Sequence, residues 1–430
     1  MKLLKRIKYA LSIVLGLIVV AAVLGLSRRP VARYFAAPPS LPEAIADVDA
    51  GRLEEAEAVL IRYLALHPDN RDANLIMARV ELDRQNPKMD AALACLAKVK
   101  GQDPRLRATV LTLRGKALYM QNRFAEAEAC WNEALILHQS VAEAGWLTMQ
   151  LYYLQGRDAE SRKLALKLSP VETDPVDRVR YLLELVREEV ERLAAAGVIQ
   201  WLEPVVKLNP KDAHSVRALG EALAKQGRGD EGIALLRRLL DENPIDVESW
   251  VALLDGLSNS GEIDALAKEL DRIPIAFATD LRFAVYRGRV AQERGEVAEA
   301  ITSYELALAV RPYDSKLLYR LGRAYRLAKR SDDAKKIEQT EAMLAENYKS
   351  LQEFLKEARE DRSFGLTPHP AFYQRIAELR ERSGKRDEAL AWHKQVIRDD
   401  PANLVSARAA ARLSVEISNA SDPTVLEHHQ

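Results

Sequence analysis

The stretch LRFAVYRGRVAQERGEVAEAITSYELALAVRPYD, from Leu281 to Asp314, decides the fold of this chain of 430 residues. Gly288 and Ala300 are small residues, Gly295 lies between them in a short turn sequence, and Pro312 stands near the end. Small residues let two helices approach closely, and a proline ends a helix. The stretch therefore predicts two antiparallel helices joined by a tight turn.

The same arrangement returns along the chain at a fixed spacing. Short turns that open with a small residue begin at Gly51, Asn122, Gly156, Gly227, Gly261, Gly295 and Gly384. The steps from 122 to 156, from 227 to 261 and from 261 to 295 are each 34 residues long. No helix pair of this size buries its apolar face alone, so the period predicts an array in which each pair packs on its neighbours.

These positions resemble those of the tetratricopeptide repeat family, from about Leu41 to Ser418. The resemblance implies an all-α fold, an α-solenoid in the form of a right-handed superhelix of about ten helical hairpins. A capping helix is expected from about Asn403 to Ile417. The expected units are residues 37–70, 71–104, 108–141, 142–175, 179–212, 213–246, 247–280, 281–314, 315–348 and 370–403.

One segment interrupts the repeat. Ser331 to Arg362 contains neither Gly nor Pro, which predicts one helix longer than a unit allows, and the break FGLTPHP follows from Phe364. Gly384 lies 89 residues after Gly295, which is not a multiple of 34. We therefore expect the superhelix to bend or widen at this place.

The heptapeptide QGRGDEG contains the G-x-G-x-x-G spacing of dinucleotide-binding loops, at Gly227, Gly229 and Gly232. That loop requires a preceding strand, whereas Val216, Leu219 and the residues after them have helical spacing. The pattern instead places Gly227 and Gly229 in a repeat turn and Gly232 at a close helix crossing. No cofactor is predicted.

Composition and charge exclude several kinds of function. The 63 basic and 63 acidic residues balance, so bulk charge gives no support for nucleic-acid binding. The seven histidines show no metal-ligand spacing, and no nucleophile stands at a meaningful distance from a base. We predict no catalytic residue, no metal and no enzyme. Cys95 and Cys130 are read either as small core residues or as one disulfide between neighbouring repeats.

The N-terminus predicts a membrane anchor. Residues 9–26 carry no charge and are long enough to span a bilayer, and basic residues flank them on both sides. The run is longer than the apolar region of a cleaved signal peptide, so an uncleaved anchor is favoured. The four basic side chains before the span, against three after it, favour a cytoplasmic N-terminus in an inner membrane and a periplasmic body, with a cytoplasmic body as the alternative.

These observations divide the chain into six segments. Their predicted bounds are 1–27 for the anchor, 28–42 for a proline-containing spacer, 43–348 for the repeat array, 349–369 for an irregular long-helix extension and break, 370–418 for the last unit and capping helix, and 419–430 for a flexible tail.

The resemblance implies that the first helix of each unit lines a concave groove that binds peptides or partner helices. The candidate groove residues of two successive units are Arg282, Tyr286, Arg289, Lys316, Tyr319, Arg320, Arg323 and Arg326. Arg289 and Arg323 hold the same place and are expected to lie side by side. Because arginine pairs with carboxylates through two hydrogen bonds, the set predicts a site for an acidic peptide. The alternative is a solvated polar face neutralised by local acids.

A second candidate surface is aromatic. Tyr119, Trp146 and Tyr153 lie on first helices of adjacent units, with Tyr152 expected to pack inside. Aromatic side chains on a concave face suit an interaction site. The alternative is ordinary packing between units.

The leading hypothesis is therefore a membrane-anchored scaffold that binds partner proteins in its groove and assembles a cell-envelope complex. The first alternative is a glycan-binding subunit of a polysaccharide synthesis or export complex, with the glycan along the aromatic surface. The second is a transferase with a cryptic site within residues 331–370.

Overall fold

The structure, a computed structural model, describes residues 39–138, 142–360 and 369–420. Over these ranges the chain forms 21 α-helices and two short 3-10 helices, and it contains no strand. The predicted all-α array of helical hairpins is confirmed. The predicted anchor at residues 9–26 lies outside the described residues, and within them no helix is both long and apolar enough to cross a membrane.

The described residues fall into two compact units, the first ending at Lys100 and the second beginning at Gly101. The first unit holds two hairpins, whose helices are α1 Leu41–Asp49, α2 Leu53–Leu66, α3 Arg71–Asp83 and α4 Met89–Leu96. Their apolar faces meet in one core around Ala56, Leu60 and Met77. Cys95 packs at the edge of this core, and both it and Cys130 are half-buried free thiols, which favours the first of the two readings of the cysteines.

The second unit contains seventeen of the α-helices in the described ranges. They are α5 Pro104–Met120, α6 Phe124–Leu137, α7 Ala142–Leu154, α8 Asp158–Leu168, α9 Pro175–Val190, α10 Ala195–Leu208, α11 Ala213–Lys225, α12 Gly229–Glu242, α13 Val247–Ser260, α14 Ile263–Arg272, α15 Ala284–Glu293, α16 Val297–Val310, α17 Ser315–Leu327, α18 Ser331–Glu360, α19 Pro370–Arg382, α20 Arg386–Asp399 and α21 Leu404–Ala420. The last of these is the predicted capping helix. The repeat that starts at Leu281 begins with a short 3-10 helix, Leu281–Phe283, which precedes α15.

The glycines of QGRGDEG serve the hairpin, as the repeat pattern predicts. Gly227 lies in the turn between α11 and α12. Its φ of +78° is a backbone conformation that residues with an L side chain rarely adopt. Gly229 is the first residue of α12 and not part of the turn as expected. At Gly232 an added Cβ would lie 2.5 Å from the carbonyl oxygen of Gly220, so α11 and α12 cross with backbone against backbone.

Aspartates give a helix-start signal that the sequence analysis missed. Asp212, Asp246, Asp280 and Asp314 follow one another at intervals of 34 residues. Each carboxylate accepts a hydrogen bond from a backbone amide two or three residues later, at 2.9 to 3.4 Å. Such N-caps satisfy amides that lack a partner within the helix, and they fix where each first helix begins.

The predicted unit 179–212 is not a hairpin. Helix α9 packs against α8, α18 and α20, whereas α10 pairs with α11. Gln155, directly after α7, donates a hydrogen bond to Ser215 of α11 at 3.0 Å. The array therefore divides into two branches between α9 and α10, at a place that we call the fork. One branch runs from α10 to α17. The other branch is formed by α9 and the C-terminal helices that pack on it.

The predicted long helix is confirmed as α18, which has 30 residues. Its beginning packs on α17 through Ala334 and Ile337. Its end packs on α9 and α19 through Leu351 and Phe354. Helix α18 carries the chain back to the fork. The second compact unit therefore contains a closed ring of packed helices, which runs from α9 through α18, α17 and the intervening hairpins to α11 and returns to α9 through α7.

We call the contact of α9 with α18, α19 and α20 the closing seam. Its apolar part joins Val179, Leu182 and Val186 of α9 to the aromatic rings of Tyr373 and Trp392. Because all five of these side chains are buried, their removal from water favours the closed ring.

Ion pairs form the polar part of the closing seam. Arg380, which is fully buried, pairs with Glu189 and, at 3.1 Å, with Glu388. Glu388 also pairs with Arg162 of α8 at 2.7 Å. Although burial opposes its charge, Arg380 and Lys385 lower the pKa of Glu189 to about 2. The closing seam thus holds buried charges that are paired across it, Glu189 with Arg380 and Lys385, and Glu388 with Arg162.

Candidate partner-binding groove

The first helices of successive repeats, α11, α13, α15 and α17, form one face of the long branch. Helix α13 packs beside both α11 and α15. Arg320 of α17 donates a hydrogen bond to Ser258 of α13 at 3.2 Å, so it reaches past the intervening α15. Side chains of alternate helices can meet only if the face is concave. This face is the predicted groove.

The predicted arginine cluster is present in the groove. Arg289, Arg320 and Arg323 all lie close enough to Tyr304 to influence its ionisation. Burial raises the pKa of the Tyr304 hydroxyl to about 12, and the three guanidinium groups act in the opposite direction. Arg289 and Arg323 therefore both lie near Tyr304.

Among the described residues, three of the predicted groove cations, Lys316, Arg320 and Arg323, have no acid partner. Arg320 is engaged by Ser258, which leaves two of them without a polar partner. Lys316 and Arg323 are exposed, and among the described residues no carboxylate lies within 4.0 Å of either. Tyr319, which is 56% exposed, lies between them at helical spacing on α17. A ligand can therefore approach two positive charges and one aromatic ring on a single helix face.

The other predicted cations are neutralised locally. Arg282 pairs with Asp280 and Glu248, both at 2.6 Å. Arg326 pairs with Glu338 at 2.7 Å, and Arg289 pairs with Glu293. For these three arginines the alternative of a self-neutralised polar face describes the structure better.

Tyr286 does not face a partner, and its assignment to the groove surface is wrong. The side chain is fully buried, and its hydroxyl donates a hydrogen bond to the carbonyl oxygen of Val251 at 3.2 Å. Burial raises the pKa of the Tyr286 hydroxyl well above its usual value. Tyr286 is therefore part of the contact between α13 and α15.

The aromatic surface is also wrong as a groove. Trp146 is 7% exposed and stacks on Tyr181, with ring centroids 4.6 Å apart. Arg180 covers its ring at 4.2 Å. Tyr119 stacks on Phe124, again at 4.6 Å. Trp146 therefore packs between repeats, as in the alternative that the sequence left open, and Tyr119 packs within its own hairpin.

The remaining two tyrosines of this group lie at the fork. The Tyr153 hydroxyl donates a hydrogen bond to the carbonyl oxygen of Glu191, and the ring is half-buried. Tyr152 is buried as expected, and its hydroxyl donates to Glu128 at 3.0 Å. Neither ring is free to stack on an extended ligand.

Two acidic residues of the groove were missed. Glu221 of α11 and Asp255 of α13 line a cavity of about 770 Å³, into which Lys316 also projects. They precede Arg289 and Arg323 at the same 34-residue interval, 221, 255, 289 and 323. That interval is the signal that could have found them, because it assigns all four residues to one place in successive units.

The transferase alternative concerns residues 331–370, of which the structure describes 331–360, 369 and 370. His369 lies beside the rings of Phe372 and Tyr373, each at a centroid distance of 6.5 Å. In the ranges that the structure describes, no three His, Cys, Asp or Glu side chains are grouped so that they could hold a metal ion.

Family models match much of the chain. A tetratricopeptide repeat-like domain matches residues 18–156, and two tetratricopeptide repeat models match residues 200–246 with 287–340 and residues 373–405. The chain is 28% identical over 127 residues to cellulose synthase operon protein C of Pseudomonas fluorescens (strain SBW25). This match covers 28% of the chain and only 10% of that relative.

Similar solved structures include two at 15% sequence identity. The Rap protein complexed with Competence and Sporulation Factor aligns with 72% of this chain and 98% of its own, with a TM-score of 0.34. The human IFIT1 dimer with m7Gppp-AAAA aligns with 90% of this chain and 87% of its own, with a TM-score of 0.33.

Proposed function

The chain belongs to the tetratricopeptide repeat family, and from this premise we propose that it is a scaffold whose groove binds an acidic segment of a partner protein. The observation that carries the proposal is the free face of α17, where Lys316 and Arg323 lack a carboxylate partner and Tyr319 is exposed between them. Most arginines around the groove already have a local acid. A negatively charged ligand gains most where no local acid competes.

The test removes the two free charges without adding new ones. A Lys316→Gln, Arg323→Gln variant should bind a fluorescein-labelled hexaglutamate peptide about thirtyfold more weakly, since loss of two charge-assisted contacts costs about 2 kcal/mol. Fluorescence anisotropy with the full-length chain in mild detergent measures the affinity. Work at low ionic strength, about 50 mM, keeps the exposed charges effective.

The matched control is Arg326→Gln, on the same helix. Arg326 is already paired with Glu338, so its loss should change the affinity less than about twofold. Equal weakening by both variants would show a general charge effect and would contradict the proposed site. Partners that co-purify with the wild-type chain, identified by mass, should be lost with the same selectivity.

We further propose that the scaffold is held at a membrane by residues 9–26 with its N-terminus in the cytoplasm. The support is the uncharged run with basic residues on both sides. Protease added to spheroplasts should degrade the body and spare it in intact cells. Protection in both preparations would place the body in the cytoplasm and overturn the orientation.

A polysaccharide synthesis complex is the setting that we propose for the partner. The support is the partial match to cellulose synthase operon protein C. A glycan ligand is the competing proposal, but Trp146, Tyr119 and Tyr153 are engaged inside the array, so it would depend on polar groups of the groove. Retention of the chain on the polymer that persists in Lys316→Gln, Arg323→Gln would favour the glycan over the acidic segment.

A further inference from the structure

Four charged residues follow the groove in a fixed order. Glu221, Asp255, Arg289 and Arg323 hold the same place on α11, α13, α15 and α17, at intervals of 34 residues. Equivalent places in stacked repeats lie along one line. The groove therefore has two carboxylates at one end of this line and two guanidinium groups at the other.

The acidic half of the line borders the cavity of about 770 Å³. Among the described residues that line it, carboxylates outnumber cationic groups five to three. Asp255 is half-buried there, and burial raises its pKa, while the nearby Arg311, Lys316 and Arg320 act in the opposite direction.

The basic half has the opposite balance. Arg289, Arg320 and Arg323 surround Tyr304, and Glu293 is the acid that accompanies them. Lys316 adds a fourth cation at the boundary of the two halves, since it lines the cavity together with Asp255.

The two halves belong to one continuous surface. Lys316 of α17 shares the cavity with Glu221 of α11, and Arg320 touches Ser258 of α13. Neighbouring helices lie about 9 Å apart, and because the face is concave, the line from α11 to α17 is at most about 27 Å long. An extended chain covers this distance with at most about eight residues.

We propose that the groove is bipolar and selects a partner segment of up to about eight residues, in which a block of basic residues lies over α11 and α13 and a block of acidic residues lies over α15 and α17. This inference rests on the proposed function, since it uses the same groove. It adds the order of charges as the feature that the scaffold recognises, and it predicts poor binding of segments in which the two signs alternate.

The test compares two peptides of identical composition with the full-length chain. The block peptide KKKGSGEEE should bind about tenfold more tightly than the mixed peptide KEKGSGEKE, measured by anisotropy of an attached fluorescein. In a Glu221→Gln, Asp255→Asn variant the block peptide should lose about tenfold in affinity. Hexaglutamate should bind this variant as well as, or more tightly than, it binds the wild type.

The outcomes separate the two proposals. If both nonapeptides bind equally and the Glu221→Gln, Asp255→Asn variant changes neither affinity, the bipolar groove is overturned. The acidic-segment proposal then stands as long as hexaglutamate binding still depends on Lys316 and Arg323. If hexaglutamate binding does not depend on them, the proposed function fails first. An unchanged melting temperature of each variant shows that the fold is intact.

Discussion

Replacing Arg380 with methionine should destabilise the closing seam by about 3–5 kcal/mol and open the ring. Arg380 is fully buried between Glu189 and Glu388, and Glu388 is only 2% exposed. Methionine fills much of the same volume but removes the cation that the two carboxylates share, so Glu189 keeps only Lys385 and Glu388 keeps only Arg162. The outcome is measured by faster hydrogen exchange in α19 and α20 and by a larger radius of gyration in small-angle scattering.

Arg375 on the same helix gives the control. It pairs with Glu357 at 3.3 Å, and both side chains are more than half exposed, so Arg375→Met should cost less than about 1 kcal/mol. Adding Glu189→Gln and Glu388→Gln to Arg380→Met should recover much of the loss, because the carboxylates are then neutral and the cations that they release, Lys385 and Arg162, are partly exposed. If Arg380→Met behaves like Arg375→Met, the ion pairs do not hold the ring closed.

The same cluster fixes the pH dependence of this prediction. The pKa of Glu189 is lowered to about 2 in the folded chain, from an ordinary value of 4.5. The carboxylate therefore contributes stability above pH 4.5, and that contribution is lost as the pH falls towards 2. The difference between wild type and Arg380→Met should shrink over this window.

Replacing Gly232 with alanine should lower the free energy of unfolding by about 3 kcal/mol. The new Cβ would lie 2.5 Å from the carbonyl oxygen of Gly220, and backbone cannot move aside as a flexible side chain can. Helices α11 and α12 must then separate, which moves Glu221 away from its place in the groove. Thermal or urea unfolding followed by circular dichroism measures the change.

The matched control is the same substitution three residues earlier. Gly229 is the first residue of α12, and nothing lies within 4 Å of an added Cβ. Because alanine favours helix over glycine by up to about 1 kcal/mol, Gly229→Ala should be neutral or slightly stabilising. Equal destabilisation by both substitutions would show that the close crossing is not responsible.

The local features of the fold could be predicted because they follow from single residues. Gly227, Gly261 and Gly295 all have positive φ in the structure, and a run without Gly or Pro gave the position of α18. A turn glycine and a helix-breaking proline act within a few residues of themselves. The 34-residue period then extends each local prediction to the next repeat.

The ring could not be predicted in this way. Its closure depends on α9, which packs against α18 and α20 and does not form a hairpin with α10. No periodic pattern in the sequence indicates this packing. The same limit explains Trp146 and Tyr286. Their places in a regular unit put them on the groove, but the depth of packing between units decides whether a side chain there is exposed, and both are buried.

The closing seam joins distant parts of the sequence, and this sets an order of folding. Arg162 and Glu388 are 226 positions apart, and Glu189 and Arg380 are 191 apart. Hairpin contacts are local and form quickly, whereas contacts of this separation carry a large loop-closure entropy and form late. During synthesis we expect the hairpins before and after α9, up to α17, to fold as they emerge. The apolar side of α9 that packs on α18 and α20 stays uncovered during that time. This side of α9 is covered only after α20 has been synthesised, so we expect the packing of the C-terminal helices on α9 to be the last step of folding.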